Sequence, residues 1–492
     1  MKKYIFSLLA ITLIFSGNVF SQTYLDALRF SHQDFEGTAR FTSMGGAFGA
    51  LGGDFTSLSL NPAGIGVYRS SEFTFTPTIS YNKAASEYMG LTVNDSRTRF
   101  GLSNMGYVGA FLTGREDGLV SFNLGVGYNK IQNYNKNTAM RGSASSSSIM
   151  DYFEGKANSD VDFFHPDDFE ASDAFRYFGA GDWDVVMAYG TNLIDWNDRD
   201  GFYDAHLGPN DKVVQTRYTT QSGSNGEYVF SFGGNVSNRF YFGATFGIQD
   251  MTYENIIQYI ERGVDGNASD FNNFTYRENM YTTGTGYNAK FGIIYRPTNE
   301  LRLGLSLHTP TYFYLTDEYL PIMSSQFSQS YLDGPRDPNI YEYRVNSPLR
   351  TMGSMAYTFG SVGLLSIDYE LINYSGVRMK DPIYRDEFDG ENQIIKDNFR
   401  ATSNVRIGGE LRADNFALRA GFIYNQSPDK DYDISKYTYS MGVGYKYNNF
   451  FIDAAYAIMN TKDYYSPYSN SPEMITEKET RSRFMLTVGF RF

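Results

Sequence analysis

The sequence predicts an all-β fold: a transmembrane antiparallel β-barrel of about 14 strands with an N-terminal hatch (plug) inside the lumen. Three observations predict it. Segment after segment alternates apolar and polar side chains, the period of a strand with two different faces. Short and long connections between these segments take turns along the whole chain, as in barrels with short turns on one side of a membrane and long loops on the other. After the first 21 residues no stretch of 18 apolar residues occurs, so helical membrane spans are excluded.

Residues 1–21 read as a signal peptide. Lys2 and Lys3 give the positive start, and Ile5 to Phe15 an apolar run of eleven. Val19 and Ser21 supply the small residues of a cleavage site before Gln22. Eleven residues are too few to span a bilayer, which argues against an anchor. The chain has no cysteine, so disulfides, thiolate metal sites and a lipidated N-terminal cysteine are excluded. A formal net charge of −13 argues against nucleic acid, whose phosphates call for lysine and arginine. The mean hydropathy of −0.40 suits a soluble protein or a barrel, because a barrel's lumen and loops are polar.

Residues 22–70 do not read as strands. Arg40 to Tyr68 is glycine-dense with no sustained period of two. Fourteen strands enclose more space than wall side chains fill, since about eight already close tightly. A compact N-terminal piece inside the lumen is the expected filling. GGAFGALGG lacks the spacing and the strand–helix context of a dinucleotide fingerprint.

The barrel is expected over 71–492. Its segments are 71–82, 100–113, 118–130, 227–237, 239–250, 284–296, 300–311, 347–359, 362–373, 399–412, 415–426, 436–447, 449–460 and 480–492. At the chain's end Phe484, Leu486, Val488, Phe490 and Phe492 alternate with Arg483, Met485, Thr487, Gly489 and Arg491. Leu301 to Leu307 and Tyr437 to Tyr447 repeat the pattern. In 100–113 either face could point outward. A soluble sandwich also alternates, but its polar face should be charged and solvated, whereas here that face is rich in glycine and small residues. Short turns sit near Asp117, Asn238, Thr298, Gly360, Asp414 and Asn448; long connections span 83–99, 131–226, 251–283, 312–346, 374–398, 427–435 and 461–479. This layout puts both termini in the periplasm of a Gram-negative cell, with outer-membrane lipid around the wall. Phe492 resembles the C-terminal signal that outer-membrane assembly machinery reads.

Gly45, Gly46 and Ala47, Asp54, Ser57, and Asn61-Pro62-Ala63-Gly64 just before the first strand resemble the hatch of the FadL/TodX family of outer-membrane transporters for hydrophobic compounds. The resemblance covers the whole length and implies a fourteen-strand barrel with an N-terminal plug. It also implies uptake of a hydrophobic small molecule such as a long-chain fatty acid, with exit through the wall. Loop 131–226 departs from the family's most studied member, so ligand contacts are not carried over.

That loop holds both tryptophans. Phe175, Arg176, Tyr177, Phe178, Trp183, Val186, Met187 and Trp196 are its candidate ligand contacts, preceded by Phe163, Phe164 and Phe169. Val186, Tyr189, Leu193 and Trp196 fall at helical spacing. The alternative is that these side chains form a core that keeps a long loop compact. Arg176 and Lys212 are the candidates to meet a carboxylate headgroup.

No catalytic set, cofactor or metal site is expected. His32, His165, His206 and His308 lie far apart, and His308 should face the lumen. Asp429 to Asp433 starts like a calcium loop but has Ile434 where glycine is needed. Asp368, Glu370, Arg406, Glu410, Arg412, Arg419 and Arg483 should form ion pairs against the plug. The reading is a monomeric transporter rather than an enzyme. The alternatives are a barrel acting as a secretion-system adaptor or surface docking protein, and a haem-binding receptor.

Overall fold

Residues 23–142, 145–159, 171–327 and 334–492 are described by the computed structural model. The expected signal peptide and Phe163, Phe164, Phe169 and His165 lie outside them.

Fourteen antiparallel strands close into one barrel. They are β1 (Glu72–Tyr88), β2 (Leu91–Leu112), β3 (Leu119–Asn133, continued by Lys136–Arg141), β4 (Val213–Val236), β5 (Phe240–Gly263), β6 (Asn273–Tyr295) and β7 (Leu301–His308, continued by Tyr312–Ser325). The second half comprises β8 (Asn339–Asn346, continued by Arg350–Phe359), β9 (Gly363–Asn373, continued by Arg378–Lys380), β10 (Ala401–Ala413), β11 (Phe416–Asn425), β12 (Lys436–Tyr447), β13 (Phe450–Tyr465) and β14 (Ile475–Arg491). Each pairs with its neighbours in sequence, and β14 returns to β1 from Glu72↔Arg491 to Glu87↔Thr476.

The alternation decides which face is outside. Leu303, Leu305 and Leu307 are 41%, 56% and 42% exposed, while Ser306 and His308 between and beside them are buried. Phe484 and Phe490 are likewise exposed, and Arg483, Met485 and Thr487 buried. A cylinder with large apolar side chains outside and polar ones inside suits a lipid surround. The ambiguity in 100–113 has a local cause. The β1–β2 register slips between Thr76 and Pro77, leaving Ser103 unmatched and interrupting the period.

Tight turns need the left-handed backbone at their tips. Ser237 and Asn238 both have positive φ (53° and 57°), as a two-residue hairpin turn requires, and Asp414, Asn448 and Gly360 do the same elsewhere.

At the opposite end the connections are shorter than the alternation implied. Most of 83–99 is strand, turning at Met89 and Gly90, and 251–283 is strand except for 264–272. Most of 312–346 also pairs. β4 and β5 each reach 24 residues, where about ten cross a membrane. Beyond the apolar band the outer face meets water, so the hydrophobic period disappears while the backbone ladder continues.

Candidate ligand-binding site

The plug is built of short pieces, each started by a capping side chain. Thr23 and Asp26 form a capping box on α1 (Tyr24–Ser31). Thr38 caps α2 (Ala39–Ser43), accepting from Phe41 N at 3.1 Å. Asp54 caps the 3₁₀ turn Phe55–Ser59, accepting from Thr56 N at 2.9 Å and from the Thr38 hydroxyl at 2.7 Å. Asn61 caps Pro62–Val67, accepting from Ala63 N at 3.1 Å. Its amide also donates to Gly49 O at 2.6 Å and to Ile293 O of β6 at 3.2 Å. Pro62 fits the first turn, where no N–H is needed.

The glycines allow contact with the wall. Gly45 and Gly46 have φ of +59° and +67°, and a Cβ on Gly45 would lie 2.8 Å from Phe422 N of β11. A Cβ on Gly64 would meet the Ser57 hydroxyl at 2.6 Å, and Ala63 beside it is fully buried. The Asn-Pro-Ala-Gly motif therefore locks the plug to itself and to β6.

Wall charges hold the plug from the other side. Asp368 accepts from Gly49 N at 3.0 Å, Arg483 reaches Asp34 at 3.4 Å, and His308 bonds Leu60 O at 2.7 Å. Glu410 gathers Arg40, Arg412 and Arg419 at 3.2, 2.6 and 2.6 Å. Glu370 pairs with Arg406 at 2.7 Å. A smaller polar cavity of about 340 Å³ lies at the short-turn end, under this network.

On the long-loop side a lid closes the mouth. It comprises α3 (Ile149–Ala157), α4 (Ala171–Tyr177), α5 (Trp183–Gly190) and the hairpin Ile194–Asn197 with Phe202–Ala205. Its core joins Phe153, Val186 and Met187 to Tyr259, Phe274 and Met323 from the upward extensions of β5, β6 and β7. The buried Glu261 carboxylate of β5 holds the start of α3, accepting from the Ser148 hydroxyl and from Ile149 N at 3.0 Å. Asp211 clasps loop 264–272, accepting from Ala268 N at 2.6 Å and Ser269 N at 3.0 Å. The Ser269 hydroxyl nearby and the bonds from these amides hold its carboxyl down at about 2.

Between lid and plug lies a cavity of about 910 Å³. The plug contributes Leu25, Leu28, Arg29 and His32 from the start of the chain; the lid contributes Ile149, Tyr152, Phe153 and Asp184. Tyr259, Tyr276, Glu278, Tyr319, Tyr464 and Tyr465 come from the strand extensions, and Tyr468 from the last connection. Burial, together with Lys436 and Arg350 nearby, keeps the His32 imidazole neutral, well below its ordinary pKa. Asp184 is pushed up by burial and pulled back by Lys156 at 2.7 Å.

The eight loop residues singled out from the sequence stand beside this cavity rather than in its lining. Val186, Met187 and Trp183 are buried in the lid core, and Trp183 donates to Phe178 O at 3.1 Å. Phe175 stacks edge-on with Trp183 at 6.0 Å, and Trp196 with Tyr203 at 5.2 Å. Arg176 and Tyr177 are exposed. Lys212 is also outside the lining. Val186 and Met187 belong to the lid's apolar core, with Phe175, Phe178 and Trp196 packed against it. Two lining tyrosines share a signal: Tyr259-x-Glu261 and Tyr276-x-Glu278 put a tyrosine and a carboxylate on one strand face past the apolar band.

One side of the cavity borders a seam in the wall. β2 and β3 pair only from Asn104↔Asn129 to Leu112↔Ser121, leaving Leu91–Leu102 of β2 paired with β1 alone among the described residues. Above Asn129, β3 turns inward and Asn129 to Asn133 are all buried. Side chains bridge the gap: Arg97 to Asn137 at 3.2 Å, Arg99 to Asn135 at 3.1 Å. The plug completes the closure. Asp34 N and Glu36 N donate to Ile131 O and Lys130 O at 2.7 and 3.0 Å. The Glu36 carboxylate accepts from Ser103 at 3.0 Å and Asn133 at 3.1 Å.

No protein-family model matches the sequence, and no curated protein matches it either. Solved structures do resemble it. A FadL homologue from Pseudomonas aeruginosa superimposes with a TM-score of 0.54 at 14% identity, covering 93% of this chain and 99% of that one. The toluene transporter TodX from Pseudomonas putida gives 0.51 at 11% identity, covering 94% and 100%. Matching over nearly the full length of both, the chain has the fold of the FadL/TodX type of plugged outer-membrane barrel.

Proposed function

We propose that the protein takes up hydrophobic small molecules across the outer membrane of a Gram-negative cell. The ligand settles in the cavity between lid and plug and leaves sideways through the β2–β3 seam. One observation carries this: the 910 Å³ cavity reaches Gln132 and Asn133 at the seam, where the wall is closed by side chains and the plug instead of a backbone ladder. The charged floor beneath the plug opposes a straight path, since an apolar molecule would have to strip ion pairs of their partners. A sideways path delivers it to lipid. Likeness to the structures above supports the same reading. In this arrangement the short turns and both termini face the periplasm, the lid faces outward, and 1–21 is removed on export. The barrel acts as a monomer, assembled through recognition of Phe492. The glycine and Asn-Pro-Ala-Gly residues of the plug hold the gate, and the aromatic core around Trp183 supports the lid.

The native chain has no cysteine, so an introduced pair reports cleanly. Cells carrying Glu36→Cys with Ser103→Cys should take up 1-hydroxypyrene at least fivefold more slowly when oxidised than after reduction. Equal rates in the two states contradict lateral release past the plug.

A further inference from the structure

The cavity wall has a composition unlike that of the chain. The chain holds 41 tyrosines and 40 phenylalanines. Among the described residues lining the cavity, ten are tyrosines and one, Phe153, is a phenylalanine. Leucine, isoleucine and methionine together contribute seven. The lipid-facing surface and the lid core use both aromatic types freely, so the preference belongs to this void. An aromatic ring supplies an apolar face; the hydroxyl adds a hydrogen-bonding edge that phenylalanine would lack.

Several of those hydroxyls are oriented. Tyr276 and Tyr319 both donate to Glu278 Oε1, at 3.2 and 2.9 Å, and Tyr465 donates to Glu477 at 3.2 Å. A tyrosine that gives its proton to a carboxylate keeps its lone pairs as acceptors. The wall therefore offers acceptors to a ligand's hydroxyl groups. Charge is nearly balanced: seven Asp and Glu stand against six Lys and Arg, with His32 neutral. Of the six cations, Lys136 bonds Glu477 at 2.9 Å, Arg481 bonds Glu479 at 2.9 Å and Arg29 bonds Asp26, while Lys436 stands among Asp34, Glu479 and Asp463 and Lys462 near Asp433 without a direct ion pair among the described residues. Arg217 donates to the carbonyls of Ser466 and Pro467. A free carboxylate would compete for these partners, and a bare hydrocarbon would cover the hydroxyls without bonding them.

We propose that the ligand held in this cavity is a neutral, ring-bearing amphiphile with several hydroxyl groups, rather than a free fatty acid or an unsubstituted hydrocarbon. The assignment rests on the uptake reading above and narrows its substrate class. A volume of about 910 Å³ suits a molecule of several fused or linked rings, at the upper end of small-molecule sites.

Titration calorimetry of the purified protein in lipid nanodiscs, with estradiol, its deoxygenated counterpart estra-1,3,5(10)-triene (the estrane comparator) and palmitate, tests it. Estradiol should bind at least tenfold more tightly than either comparator. Tyr276→Phe combined with Tyr319→Phe should weaken estradiol at least fivefold and leave estrane unchanged, with heat-modified gel migration confirming an intact barrel. Estrane or palmitate binding as tightly as estradiol overturns the ligand class while leaving the cavity as a binding site. Absence of binding by all three overturns both.

Discussion

Asn61 shows how much a single side chain does here. It is fully buried, and it caps one turn while bonding Gly49 O within the plug and Ile293 O of the wall. Asn61→Ala strands these groups, each costing about 1–3 kcal/mol when buried without a partner. Amide exchange over 45–66 should accelerate accordingly, while the strands of the wall stay protected. Unchanged exchange would mean that the motif does not fasten the plug. Asn61, Gly45 and Gly64 were legible in the sequence as a motif, but their partners were not. Phe422 and Ile293 lie hundreds of positions away, and no local period links them to the plug.

At the scale of elements, strands were readable wherever lipid imposes a period of two. The lower parts of β7, β12 and β14 are examples. Their extensions were not, because Asp250 to Gly263 of β5 meets water outside and mixes the apolar Met251, Tyr253 and Tyr259 with Glu261 inside. The same loss of period hid part of the cavity, where Tyr259 and Tyr276 sit on these extensions, and drew attention to the tryptophans of the lid. The lid itself is clasped to its neighbours by polar side chains, Asp211 foremost. Its carboxyl sits at about 2, below the ordinary 3.8. The clasp is therefore fully present above about pH 4 and is lost as pH falls through 2. Exchange of the amides at 268 and 269 should quicken over that interval. In Asp211→Ala they should already be fast at pH 7, with no step on acidification. A step that survives the substitution assigns the titration to another group.

Over the whole molecule, two surfaces of opposite character share one sheet. The outside carries residues such as Phe100, Met441 and Leu418, each more than half exposed, and the inside carries buried charges paired with each other and with the plug. In water such an exterior would be an aggregation hazard, and in lipid it is solvated. The cavity, the seam and the lid acquire their proposed roles only if that exterior faces lipid. The most direct measurement is labelling of single-cysteine variants in native membranes with a charged, membrane-impermeant maleimide. Leu303→Cys, Val443→Cys and Phe490→Cys should resist the reagent, while Asp431→Cys at a loop tip should react completely. Reaction of the three wall positions as fast as Asp431→Cys would contradict a lipid-facing barrel.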